Sequence, residues 1–295
     1  MYYQSVPICV ERVWGHDDLK KLFNCNKPEP VGEIWILSGY PGHETKLLKN
    51  GKEEVKINEF TKEQFGTKIP RFPLLIKLLK AKRWLSIQVH PDDDYAIKEE
   101  NEPWGKNEAW YFLECEQGAR IINGINVESK SMMSKIVEKN EFEKVLNYAE
   151  IFEDGFIYLK AGIVHALGPG ALTLEVQQTS DLTYRLYDWG SDRELHIKKA
   201  LEVIDYKNPI AEVVKLEDTF SAPYFKVTKI NKEAEINGFS ILFTLNESIV
   251  DGNLLKKYSC AVVPFNSKAN FKGSAVEFRL GEFWNSWLKQ VDQCS

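Results

Sequence analysis

No CxxC pair, no apolar run near the ~20 residues of a membrane-spanning helix and no excess of basic residues occur in this chain. Each absence closes a class. Cys9, Cys25, Cys115, Cys260 and Cys294 are widely spaced and odd in number, so neither a zinc knuckle nor a redox dithiol is signalled. They are expected to be reduced, structural thiols. A formal net charge of -5, with both signs interspersed, leaves no basic face for nucleic acid, although one small phosphate pocket is compatible with it. The stretch 1–13 lacks the basic start and apolar core of a signal peptide. Solenoid repeats and low-complexity segments are missing too. The expectation is a soluble, cytoplasmic protein with no nucleic-acid and no membrane partner.

What is present is an ordinary globular composition, 43% hydrophobic and 27% charged over 295 residues, enough to bury a core without disulfides or metal. Strand-like segments dominate. Residues 32–38 (GEIWILS), 84–90 (WLSIQVH), 109–114, 156–159, 171–177 and 182–189 are rich in β-branched and aromatic residues, mostly bounded by Gly, Pro, Asn or Asp. The pattern returns at 225–230, 239–245, 259–264 and 275–280. Helical signals are fewer. Asp17 and Asp18 open a short helix through Leu22 and Phe23, and Ile197, Leu201 and Ile204 recur at helical spacing within 194–204. Residues 132–148 carry mixed spacing, while 72–81 (FPLLIKLLKA) suits a buried strand or a helix equally.

Many short strands predict a mainly β chain, a sandwich or barrel with a few helices. Asn208-Pro209 interrupts the pattern within 205–217. The expected division is therefore a larger part, residues 1–207, and a smaller β part, residues 208–295. Trp284 and Trp287 in the terminal EFWNSWLKQ are expected in a core or interface.

Four stretches carry chemistry. In SIQVHPDD, strand alternation puts Ser86, Gln88 and His90 on one face and Ile87 and Val89 on the other. A polar inward face needs a metal, a ligand or a hydrogen-bond network to satisfy it. In GKNEAWYFLE, Glu108 opens an aromatic strand with Lys106 two positions earlier, a pairing that suits either a site or a solvated surface. In AGIVHALGPG, His165 lies on a short strand between two glycine turns. Two histidines, a carboxylate and an amide oxygen form a workable donor set for zinc or another divalent first-row ion. In TSDLTYRLYDWG, Arg185 shares a face with Thr183 and Tyr187, and an inward arginine wants an anion. A substrate anion and a structural ion pair with Asp181 or Asp188 both answer that need.

Together and in this order, SIQVHPDD, GKNEAWYFLE, AGIVHALGPG and LEVQQTSDLTYRLYDWG resemble the signatures of type I mannose-6-phosphate isomerases in their short form. VERVWG, GEIWILS and ELHIKKALEVI add to the resemblance. It implies a cupin-type β-sandwich or jelly roll with a second, smaller cupin-like unit. It also implies metal ligands at Gln88, His90, Glu108 and His165, an essential arginine at Arg185 and an active-site lysine at Lys106. One Zn2+, or another divalent first-row ion, is implied per chain.

The implied reaction interconverts mannose 6-phosphate and fructose 6-phosphate, moving a proton between C1 and C2 through a cis-enediol. A metal would steady the developing negative charge. Arg185 is expected beside the reacting carbons, Lys106 at the phosphate or in proton transfer, and Ser86 at the phosphate. No base stands out; Lys106, a metal-bound water or another carboxylate would serve. The chain is expected as a monomer or homodimer. Competing readings are a related isomerase of another sugar, a cupin oxygenase using iron, and a sugar-binding cupin without turnover.

Overall fold

The computed structural model describes residues 1–288. Lys289 and Gln290 of the terminal aromatic stretch, and Cys294, lie outside the described residues. The chain forms two compact units. One comprises Cys9–Ile34 and Lys77–Lys215, the other Met1–Ile8, Trp35–Ile76 and the residues from Leu216 onward. No helix among the described residues is long and apolar enough to cross a membrane.

Most of the first unit is a sandwich of two antiparallel sheets, and three of the strands, Ile8–Glu11, Val31–Leu37 and Leu74–Lys80, also hold residues assigned to the second. Seven strands run in the order Val213–Lys215, Gly155–Leu159, Glu108–Cys115, Ala171–Gln178, Leu74–Lys80, Val31–Leu37 and Ile8–Glu11. Five run in the order Leu146–Glu150, Arg120–Ile125, His165–Leu167, Ile87–Val89 and Tyr184–Tyr187. The mainly β expectation is met, and residues 72–81 resolve as the strand Leu74–Lys80. Seven residues are short for a helix, and Leu74 to Leu79 are all buried, so the strand is covered on both faces.

The alternation within 86–90 decides what each face of the five-stranded sheet does. Ile87 and Val89 join Ile122, Ala166 and Leu186 in an apolar layer completed by Met133, from the helix Lys130–Lys139, and Ala200 and Leu201, from the helix Ile197–Val203. Burying such side chains contributes about 2 kcal/mol each, which anchors the sheet. Ser86, Gln88 and His90 are left on the opposite face, toward the seven-stranded sheet. There Trp110, Phe112 and Ile157 meet Ile121 and Leu167 in the sandwich core.

In the second unit, an eight-stranded sheet includes Phe225–Ile230, Ala275–Leu280, Ser240–Thr244 and Cys260–Val263, and a separate sheet has four strands. Leu242, Val263 and Phe271 belong to its core. Trp284 is buried there, its indole N–H donating to the Tyr224 carbonyl at 2.7 Å, as expected of a core residue.

One expectation fails. Cys9 and Cys25 form a disulfide, with their Cα atoms 6.0 Å apart, so the five thiols are not all free. The short helix Asp17–Leu22 turns the chain back and brings Cys25 to the strand holding Cys9, which spacing in the sequence could not reveal. Cys115 and Cys260 are free.

Candidate metal centre and active-site cavity

The centre is assembled between the two sheets of the first unit. His165 lies opposite Gln88 in one antiparallel ladder, and Arg185 lies opposite Gln88 in the next. Residues paired across a ladder point to the same face, so Gln88, His165 and Arg185 share one wall. Glu108 comes from the facing sheet, where it pairs with Leu159 and Gln177.

Close backbone approach brings these elements together. A Cβ on Gly105 would meet the Pro91 carbonyl oxygen and the Asp92 carbonyl carbon at 2.4 Å, so only glycine lets the loop before Lys106 touch the loop after His90. The Lys106 N–H then donates to the Pro91 carbonyl at 3.0 Å. Asn107 ties the loop on both sides, donating to Gln178 Oε1 at 2.9 Å and accepting from the Ala161 N–H at 3.0 Å. Gly162 makes the adjacent turn with φ +92°, and its N–H donates to the His90 carbonyl at 3.0 Å.

Each histidine is oriented by a backbone carbonyl. His90 Nδ1 donates to Leu182 at 2.8 Å and His165 Nδ1 to Ile163 at 2.9 Å. That choice of tautomer leaves both Nε2 atoms as lone-pair acceptors. They face the same carboxylate, His90 Nε2 at 3.4 Å from Glu108 Oε2 and His165 Nε2 at 3.1 Å from Oε1. All three residues are buried, and Glu108 Oε1 has no hydrogen-bond donor.

Acceptors that converge on one another in a dry site repel unless a cation lies among them. The donor atoms of His90, Glu108 and His165 all lie within 4.8 Å of one another, so this cluster can hold a metal ion. Gln88 stands beside it, its side-chain amide nitrogen 3.4 Å from His165 Nε2. Exchanging the amide's two ends would present its oxygen to the same place. Lys106 already brings one positive charge, its ammonium 2.8 Å from His90 Nε2 and hydrogen-bonded to Glu108. Burial, then the Lys106 charge, pushes the His90 imidazole down to about 3 against the pull of Glu108. Burial would raise the Glu108 carboxyl, but Lys106 and the two histidines hold it well below the usual carboxylate range.

The sequence-predicted residues therefore come together. Ser86 is buried and donates to Gln88 Oε1 at 3.3 Å, and Lys106 is a buried partner of Glu108 rather than a solvated one. Arg185 is half-buried; its Nε is buried without an acceptor, and it has no ion pair among the described residues. Asp188, one suggested partner for it, instead binds Arg193, whose Nε donates at 2.7 Å.

Ser86, Gln88, Lys106 and Arg185 line a cavity of about 560 Å³, within the range of small-molecule sites, while His90, Glu108 and His165 are buried and are not among its lining residues. Sequence reasoning missed its other wall. Arg12 pairs with Glu33 through Nε at 2.9 Å and a terminal nitrogen at 3.0 Å. Lys77 lies 3.2 Å from Glu175 and donates to Gln177 at 2.8 Å, while the Trp110 indole donates to Glu175 at 2.9 Å. Burial works against the Lys77 ammonium, yet Glu175 and Glu33 raise its pKa above the ordinary lysine value. A lone lysine between Ile76 and Leu78 was the signal, since a charge inside an apolar strand requires a buried partner. Asp181, Arg193, His196 and Lys199 also line the cavity without having been predicted to do so.

Comparison with known proteins gives the family. The family model "Phosphomannose isomerase type I, catalytic domain" matches residues 7–118. The chain is 35% identical over 288 residues to YvyI of Bacillus subtilis strain 168, covering 90% of each. It is 36% identical over 239 residues to the mannose-6-phosphate isomerase of Streptococcus mutans, covering 74% of this chain and 75% of that protein. The crystal structure of the Bacillus subtilis mannose 6-phosphate isomerase superposes with a TM-score of 0.83 at 32% identity, covering 94% of this chain and 98% of the other. The chain belongs to the type I phosphomannose isomerase family.

Proposed function

We propose that this chain is a metal-dependent aldose–ketose isomerase that interconverts mannose 6-phosphate and fructose 6-phosphate. The observation that carries the reading is the convergence of His90, Glu108 and His165, with Gln88 beside them and Arg185 on the same wall. We take the metal to be zinc, since a nitrogen- and oxygen-donor set of this kind suits it, though another divalent first-row ion fits the same donors. Bound there, such an ion supplies fixed positive charge beside the substrate's carbonyl and hydroxyl oxygens.

The chain's own residues do the rest. Arg185 brings a guanidinium with a buried, unused N–H to the oxygens where enediolate charge develops. The Lys106 ammonium donates at the same end, and Ser86 orients Gln88. A proton must pass between C1 and C2. Lys106 is one group able to carry it, and Asp181, an exposed cavity carboxylate without an ion pair among the described residues, is the other. The Trp110 ring, packed edge-on against His165 at 5.4 Å, lines the cavity beside that histidine.

A coupled assay of mannose 6-phosphate conversion on metal-stripped protein, with and without zinc, tests the reading. Zinc-restored turnover supports it. No turnover by folded, zinc-loaded protein would leave a sugar-binding protein or an isomerase of another sugar. The same reading takes the chain as a cytoplasmic monomer or homodimer, the assembly being measurable by light scattering.

A further inference from the structure

We propose that Arg193, His196 and Lys199 form the anion-recognising end of the cavity and hold the substrate's phosphate; this rests on the isomerase reading above. The reacting carbons belong against His90, Glu108, His165 and Lys106. A hexose 6-phosphate carries its phosphate at the far end of the molecule, so a second recognition point is needed away from those atoms.

The wall leading away from the ligand atoms runs from Gln88 to Arg185, opposite it in the ladder, and on to the segment 193–199. That segment is fastened back along the Arg185 strand. The His196 N–H donates to the Arg185 carbonyl at 2.8 Å, and His196 Nδ1 accepts from the Arg185 N–H at 3.3 Å. With Nδ1 accepting, the neutral ring carries its proton on Nε2, which is then a donor. The nearest carboxylate to that nitrogen is Glu194, at 3.9 Å, beyond hydrogen-bond range.

The two cations beside it are only partly used. Arg193 turns Nε and one terminal nitrogen to Asp188, leaving the other terminal nitrogen. Lys199 gives one of its three N–H groups to Glu100, at 2.6 Å. Arg185 adds its unused Nε–H. Four donor side chains, Arg185, Arg193, His196 and Lys199, thus stand here with N–H groups to spare, against two cavity carboxylates, Glu100, which already accepts from Lys199 and the Tyr184 hydroxyl, and Asp181; a phosphate offers several acceptor oxygens at once. The opposite wall cannot serve, because Arg12 and Lys77 are already matched to Glu33 and Glu175. Lys106 and Ser86 lie instead at the reacting end, beside His90, Glu108 and Gln88.

Inorganic phosphate is the probe, titrated calorimetrically into the full-length, metal-loaded protein, alongside kcat and KM for mannose 6-phosphate. Lys199→Met and His196→Asn, the second keeping an acceptor for the Arg185 N–H, should each weaken phosphate binding and raise KM about tenfold, with kcat falling far less. Lys199→Arg should retain affinity. Metal content and thermal melting identify any variant that has lost its fold. Phosphate affinity and KM unchanged in both Lys199→Met and His196→Asn would overturn the assignment while turnover kept the isomerase reading intact. If the parent protein shows no turnover, that reading fails by itself. The phosphate titration still decides the anion site: weaker binding in the variants upholds it, and equal binding overturns it.

Discussion

Arg185 lies directly opposite Gln88 in the antiparallel ladder between Tyr184–Tyr187 and Ile87–Val89. Their side chains share a face, and the guanidinium therefore stands on the wall that also carries Gln88 and His165. Its buried Nε without an acceptor is the cost expected if, as proposed, it meets an anion only during turnover. Replacing Arg185 by Ala should lower kcat by about 10²-fold or more, the usual loss for one preorganised donor. Metal content should stay at the parent level. Near-normal turnover would remove Arg185 from the mechanism.

His90→Ala removes one of the two imidazole lone pairs from the cluster. After dialysis, elemental analysis should find the metal largely lost along with the activity. One full equivalent retained would show that the ligand set lies elsewhere.

Gly105→Ala tests the close approach of two loops rather than the chemistry. Its Cβ would sit 2.4 Å from the Pro91 carbonyl oxygen, so the backbone must shift, at about 1–3 kcal/mol. Lys106 and Glu108 follow that loop, and metal affinity should weaken together with the urea midpoint. A stable variant with unaltered metal affinity would show the contact to be dispensable.

Acid stability has a local source near the cavity. Burial tends to raise the Asp188 carboxyl, but hydrogen bonds from Arg193 and Ser191 and the charges of Arg193 and Arg185 hold it below its ordinary value. A depressed folded-state pKa contributes stability that is present above the unfolded value, about 3.9, and fades as pH falls through the folded one. Asp188→Asn should be less stable near neutrality and should lose less on acidification below about pH 4. Urea midpoints measured across that range check this, and parallel curves for parent and variant would refute it.

The Cys9–Cys25 bridge closes a short loop, with a sequence separation of 16. Loop-closure entropy gives such a bridge about 3 kcal/mol. Urea melts of oxidised and reduced protein should differ by up to that amount, and Cys9→Ser should match the reduced form. Identical melts in both states would assign the bridge no structural role.

Much of the site was legible because it is written in local patterns. Period-2 alternation at 86–90 separated Ile87 and Val89, which pack on helices, from Ser86, Gln88 and His90, which do not. Glycine turns framed His165, and the motif order placed Glu108 and Arg185 beside them. Less local features stayed hidden. The strand Arg120–Ile125, which pairs with His165–Leu167, was not recognised, and neither was the helix Asp93–Glu100 that presents Glu100 to Tyr184 and Lys199. Lys77, Glu33 and Glu175 looked like isolated charges within strands, since nothing local says which charge meets which.

By itself, the sequence determined that this chain is mainly β, which residues share a face within 86–90 and 183–187, and which side chains have the chemistry to bind a metal or an anion. Those properties follow from side-chain chemistry and backbone period, which act over a few residues. Only the tertiary structure decided that two imidazole lone pairs and a carboxylate converge within 4.8 Å, that Lys106 is buried against them, and that Arg12 and Lys77 are matched while Arg185 is left with an unused donor. These outcomes depend on how two sheets pack face to face, because burial, not residue type, determines whether a charge must find a partner.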